Sequence, residues 1–321
     1  MVLGVTHFMS RNNTAIFSTG DAGYLKHMAI ALFVACKHNR NFDPWIITDA
    51  SKEETKFLEK FGISVIRIDL HDQYDVFNET WPSQSFWWSI GPNMFNDLDY
   101  DYSIFIDGDV YCNKKVDLDI FNDDLEIAAR SDEPNKYNSG VMLFNNKRLV
   151  EKDLYNSALN CYRGLSTKAF EEWHGGKVHD QQVLTALGPN NELNDFLGSA
   201  YQFEIQDLDV LWNYPFNLQK GRNEELIKLP YSVLKEKVYF VHFLLSQPWL
   251  PFKEWGSRNH GLFKTEDFPD GWVVKTKDAE PDPSIRVQFV IDWRNEVRLI
   301  ERIFEEKLFD DFDDLFEGLN L

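Results

Sequence analysis

The N-terminal part of the chain alternates short apolar runs with segments whose apolar residues recur every three or four positions. Ala15-Ile16-Phe17 predicts a strand and Gly20-Asp21-Ala22-Gly23 a turn. Leu25, Met28, Ala29, Leu32, Phe33 and Cys36 then share one face of a helix over 24–38. A second strand follows at 44–48, and Ser51 with Glu54 has the spacing of a capping box opening a helix to Phe61. The run 63–68 is a third strand. This β-α-β-α-β rhythm predicts an α/β fold with a parallel sheet covered by helices.

Farther along, a Trp- and Phe-rich stretch over 81–95 reads as partly helical, followed by strand candidates at 103–106, 126–129 and 140–144. Helical spacing returns over 147–162 and 180–187, and 237–243 alternates like a late strand. The pattern changes near residue 265. Beyond two prolines within 278–284, the apolar residues Ile285, Phe289, Trp293, Val297, Ile300, Phe304 and Leu308 step by three and four, predicting one long amphipathic helix. The expected division is a main domain over 1–265 and a C-terminal extension over 266–321. Eight acidic and two basic residues over 301–317 make the end of that extension acidic. Its helix is read either as docked on its own domain or as a homo-oligomer contact.

Composition narrows the partners. The 321 residues carry 33 Lys+Arg against 52 Asp+Glu, a formal net charge of −19. That balance argues against nucleic acid and against anionic lipid, which both call for clustered cations. The longest wholly apolar run, 28–36, is too short for a membrane span. Three cysteines without a CxxC spacing exclude a disulfide framework and weigh against a thiolate zinc site. No secretory pattern opens the chain, which predicts a cytoplasmic protein.

The segment with most chemistry is 102–109, where an apolar strand ends in Asp107-Gly108-Asp109. Ligands of open parallel sheets bind at that strand edge. Two carboxylates flanking a glycine can share a hard divalent cation, and the glycine lets backbone and phosphate approach. Such a cation would neutralise a nucleotide diphosphate. Composition alone yields roughly eight acidic-x-acidic triplets, so spacing leaves a metal site and a solvated turn equally open. Only Asp107/Asp109 follows a strong apolar strand.

Further segments line up around it: AIFSTGDAGY at 15–24, FIDGDV at 105–110, NSGVMLFN at 138–145, DQQVLTAL at 180–187, LWNYPFN at 211–217 and VHFLLSQPW at 241–249. In this order they resemble the motifs of family 8 glycosyltransferases, the glycogenin and bacterial lipooligosaccharide galactosyltransferase group. The resemblance implies a GT-A fold: a Rossmann-like, mostly parallel mixed sheet flanked by helices. It also implies retaining transfer of a hexose from a UDP-sugar donor to a hydroxyl acceptor. Asp107, Asp109 and His242 would hold Mn²⁺ or Mg²⁺, the imidazole favouring Mn²⁺. Thr19, Asp21 and Tyr24 would contact the nucleotide, and Gly108, Asp132, Asn138 and Ser139 the rest of the donor. Asp180 and Gln181, at a helix start, are the implied catalytic positions. An uncharged Gln181 is a poor nucleophile, which favours a front-face route with both residues positioning and stabilising.

The chain departs from the family pattern where Leu245 and Gln247 replace a glycine and a lysine, and no Lys or Arg occurs over 82–113. Arg130, Lys136 or Lys220 are the candidate replacement cations. Two other readings stand beside the transferase. One is a degenerate nucleotide-sugar-binding or partner-binding module. The other is a sugar nucleotidyltransferase, which would want a basic Gly-rich loop where 19–24 has two glycines and no cation.

Overall fold

The computed structural model describes residues 14–68, 82–133, 136–167, 178–189, 191–197, 203–215, 226, 229–243, 248–249, 283–305 and 307–309. The chain opens with β1 (Thr14–Thr19), α1 (Leu25–His38), β2 (Asp43–Thr48) and β3 (Ser64–Arg67). Next come α2 (Ile90–Asp97), β4 (Tyr102–Ile106), β5 (Val110–Cys112), β6 (Ile127–Glu133) and β7 (Lys136–Asn145). These lead to α3 (Asn146–Glu151), α4 (Leu154–Leu165), α5 (Asp180–Leu187), α6 (Glu192–Leu197) and β8 (Ile205–Asp207). The last elements are β9 (Tyr214–Pro215), α7 (Tyr231–Lys237), β10 (Phe240–His242) and α8 (Pro283–Phe304).

Seven strands form a mixed sheet in the order β3-β2-β1-β4-β7-β6-β8, and β5-β10-β9 form a second, smaller sheet. β3, β2, β1 and β4 are parallel, whereas β7 is antiparallel to both β4 and β6. The central strand β1 is apolar on both faces because both are covered. On one face Phe17 meets Phe95, Phe105 and Phe144 at ring-centroid distances of 4.9, 5.4 and 6.2 Å. Helix α2 packs so tightly there that a Cβ on Gly91 would lie 2.3 Å from Phe17 Cζ. On the other face lies α1, whose Phe33 ring stands 5.4 Å from Phe304 of α8. Phe289, Val290, Trp293, Val297 and Ile300 of α8 are buried in the same apolar core as α1 and β4. The apolar face of the C-terminal helix is thus covered by the chain's own core.

The elements differ from the periodicity in instructive ways. Ser51 and Glu54 do exchange backbone and side-chain hydrogen bonds (2.8 and 3.3 Å), yet they lead into a 3₁₀ turn over Lys56–Phe61 rather than an α-helix. Thr55 Oγ1 bonds back to Ser51 and Lys52 carbonyls, and Gly62 at φ 68° ends the segment. The helix expected over 147–162 is two helices, broken at Asp153, whose φ of 55° leaves the helical region. Residues 231–237 are helical, so the late strand begins only at Phe240. The C-terminal helix stops at Phe304, where Glu305 turns left-handed at φ 51°, and Leu308 returns to the core through a bend. Glu301 Oε1 fixes that bend by accepting the Leu308 N–H at 2.7 Å. Residues 278–282, the acidic residues beyond 309, Lys220, Leu245 and Gln247 lie outside the described residues.

Candidate metal and donor site

The Asp-Gly-Asp turn joins the two sheets. Ile106 pairs with Val141 in the large sheet, and Val110, four residues on, pairs with His242 in the small one. Between them Asp107 N–H donates to Gly140 O (3.0 Å), Val110 N–H to Asp107 O (3.1 Å), and Phe243 N–H to Asp109 O (3.0 Å). Both carboxylates therefore stand on the seam, at the C-terminal end of β4. His242 Nε2 lies 3.2 Å from Asp109 Oδ1 and 3.9 Å from Asp107 Oδ2. One ligand atom from each of the three falls within a 4.8 Å span.

The other imidazole nitrogen is held from behind. His242 Nδ1 lies 3.2 Å from both Asn138 Oδ1 and Asn213 Oδ1. The Gly140 backbone N–H donates to Asn138 Oδ1 at 3.0 Å, which fixes that atom as oxygen. Asn213 Nδ2 donates to the same oxygen at 2.7 Å, so the Asn213 atom facing the ring is also oxygen. Two acceptors at Nδ1 require a proton there. Nε2 then faces the two carboxylates, with its lone pair open to a metal cation between them. Gly140 makes this packing possible, because a Cβ there would lie 2.1 Å from His242 Cε1.

Burial pushes the Asp107 carboxyl well above the ordinary carboxylate range, and the Asp180 and Asp109 carboxylates push it further. Among the described residues no lysine or arginine pairs with Asp107 or Asp109. Two carboxylates and one imidazole, clustered and short of positive charge, fit a divalent cation.

The remaining candidates are distributed around this cluster. Thr19 ends β1, and Asp21 Oδ1 accepts the Gly23 N–H at 2.9 Å, capping a 3₁₀ turn over Ala22–Tyr24. A Cβ on Gly20 or on Gly108 would touch Met28 (3.2 and 3.5 Å), so this loop and the Asp-Gly-Asp turn flank the first turn of α1. Ser139 Oγ hydrogen-bonds Asp180 Oδ2, and Gln181 N–H donates to Asp180 Oδ1 at 2.9 Å. Asn138 is buried, its Oδ1 turned inward and its Nδ2 3.4 Å from Asp132 Oδ2. Arg130, also buried, pairs with Asp132, while exposed Lys136 faces Glu192 at 3.9 Å.

Three neighbours of the site are not singled out by the sequence: Asn213 and Trp249 lie inside the family-like segments 211–217 and 241–249 without an assigned contact, and His27 lies in none of the segments. Asn213 sits in the 211–217 segment, where nothing marks its contact with a histidine 29 residues later. His27 lies 3.9 Å from the Trp249 ring and 5.7 Å from Tyr24, and burial lowers its pKa to about 4 against the opposing pull of Asp109. The aromatic contact between α1 and the segment after His242 could be found only by folding the chain.

No family model and no curated protein matches the sequence. Solved structures share the fold. The bifunctional glycosyltransferase WbbM in its apo form superimposes with a TM-score of 0.52 at 14% identity, over 77% of this chain and 48% of that one. The glycosyltransferase GlyE of Streptococcus pneumoniae TIGR4 gives a TM-score of 0.50 at 14% identity, over 92% of this chain and 65% of that one. The chain thus spans about half of the first and under two thirds of the second. At this identity the likeness concerns the fold: the mixed sheet with flanking helices is the GT-A architecture expected from the sequence. Among the described residues, no helix is long and apolar enough to cross a membrane.

Proposed function

We propose that the protein is a metal-dependent glycosyltransferase that moves a hexose from a UDP-sugar to a hydroxyl acceptor with retention of configuration. The observation carrying this reading is the convergence of Asp107, Asp109 and His242 at the sheet seam, with no lysine or arginine among the described residues to balance them. The fold shared with two glycosyltransferases supports it. Asp107, Asp109 and His242 would hold the cation, Mn²⁺ in preference to Mg²⁺. When bound, such an ion offsets the charge of a departing nucleotide diphosphate.

The chain's own groups carry the rest. The loop over 19–24 meets the first turn of α1 at Met28, as Gly108 does, and is assigned to the nucleotide, with Thr19, Asp21 and Tyr24 its contacts. Asp132, Asn138 and Ser139 are assigned to the sugar. Ser139 orients the Asp180 carboxylate by donating to it. Asp180 is close enough to raise the Asp107 pKa, so its negative charge stands beside the metal cluster. There it would stabilise positive charge developing on the sugar, with Gln181 positioning the reactants.

Incubation with a panel of UDP-sugars and Mn²⁺, followed by mass spectrometry, tests the reading. Slow hydrolysis or self-modification with at least one donor, lost in Asp109→Asn, is expected. Binding of UDP and Mn²⁺ without turnover on any donor would instead make the protein a binding module.

A further inference from the structure

We infer that Asn213 sets the imidazole of His242 for metal binding, a positioning role that rests on the metal reading above. Asn213 is fully buried and immediately precedes β9, which pairs with β10 so that Tyr214 lies opposite Val241. The small sheet thereby carries Asn213 alongside His242, although 29 residues separate them.

Two side-chain oxygens face His242 Nδ1, and they are not equivalent. Asn138 Oδ1 already accepts from Gly140 N–H and from Asn213 Nδ2, which uses both of its lone pairs. Asn213 Oδ1 accepts from no other group among the described residues, so it is the acceptor free to take the Nδ1 proton. Holding the Nδ1 proton against Asn213 leaves the Nε2 lone pair as the position open to a metal. A hydrogen bond at the non-ligating nitrogen fixes the ring plane and raises ligand basicity. Asn213 also closes the chain of contacts Gly140–Asn138–Asn213–His242, which ties the ligand to β7 across the seam.

Electron paramagnetic resonance titration of the full chain with Mn²⁺ in the presence of UDP tests this. Asn213→Leu removes the acceptor at similar volume and is expected to weaken Mn²⁺ binding roughly 10- to 100-fold. In a His242→Ala background the same substitution should change Mn²⁺ affinity less than about twofold, because the coupling runs through the imidazole. General disruption of the fold would weaken binding in both backgrounds alike. If the leucine variant does not fold, Asn213→Ala takes its place in the same cycle. Mn²⁺ binding by Asn213→Leu within twofold of the parent, or an equal loss with and without His242, overturns the proposal while leaving the metal site standing. Absence of Mn²⁺ binding by the parent chain would overturn the metal reading and this role with it.

Discussion

The chain sets carboxylates into its fold in two places, Glu126 buried and Asp107 with Asp109 half-buried, and treats them in opposite ways. Glu126, only 2% exposed, accepts from Lys152 (2.5 Å), Arg148 (3.4 Å) and the Glu204 backbone N–H (2.9 Å). Burial opposes its ionisation, but Lys152, the Glu204 N–H and Arg148 outweigh that, and its pKa is lowered. Asp107 and Asp109 instead face each other, Asp180 and an imidazole, and burial with like charge raises the Asp107 pKa. The same physics acts on both, so the contrast lies in the partners supplied. Where this fold uses a buried carboxylate to hold itself together, it supplies two cations. Where it supplies none among the described residues, the carboxylates are left short of positive charge, and on that deficit the proposed cation site rests.

The sharpest way to break the comparison is to neutralise one carboxylate of each group. Asp109→Asn should lower UDP-sugar turnover by more than about 100-fold, since a bound metal supplies several kcal/mol of charge stabilisation. Its thermal unfolding midpoint without metal should hold or rise, because a repulsion is removed. Chelation of the parent protein should reproduce the loss of turnover. Turnover that survives either treatment would dissolve the distinction between the two groups.

Gly140→Ala strikes the packing that seats the histidine. The new Cβ would lie 2.1 Å from His242 Cε1, so the ring must move. The expected result is a loss of Mn²⁺ affinity of at least about tenfold together with about 1–3 kcal/mol of stability, read by Mn²⁺ titration and urea unfolding.

Glu126→Gln should do the reverse, costing about 1–2 kcal/mol of stability with unchanged Mn²⁺ binding. Lys152 and Arg148 are 44% and 36% exposed, so water screens the orphaned cations and keeps the cost modest. The lowered pKa sets the sign of the pH dependence. Stability from ionised Glu126 is fully present above the ordinary value of 4.5 and lost as pH falls through the lower folded value. The parent and Glu126→Gln should therefore converge in stability at acid pH, checked by urea unfolding across pH.

The smallest effect belongs to the surface pair Lys37–Glu296 (2.6 Å), which joins α1 to α8. Lys37→Met should cost under about 1 kcal/mol and leave metal binding untouched.

How far these regions could be read from residue order depends on contact range. Asp107 and Asp109 were legible because an apolar strand delivers them to a known edge of a parallel sheet. The amphipathic α8 was legible because helical periodicity is local, although its end at Phe304 depends on a left-handed Glu305 that periodicity does not show. The break at Asp153 was hidden for the same reason. Contacts around His242 were illegible: Asn138 and His242 meet across 104 residues, and the reason Gly140 must lack a side chain is a ring on another sheet. The resemblance leads one to expect Asn138 beside the sugar. Its oxygen faces the imidazole and Asn213, a contact the resemblance does not announce, while its amide nitrogen points to Asp132.

Crystals of the protein grown with UDP and MnCl₂, measured at the manganese absorption edge, address the central claim most directly. One anomalous peak bounded by Asp107, Asp109 and His242 is predicted, and it should vanish in crystals of Asp109→Asn. Ordered UDP with no peak between those three side chains, or manganese bound elsewhere, would contradict it.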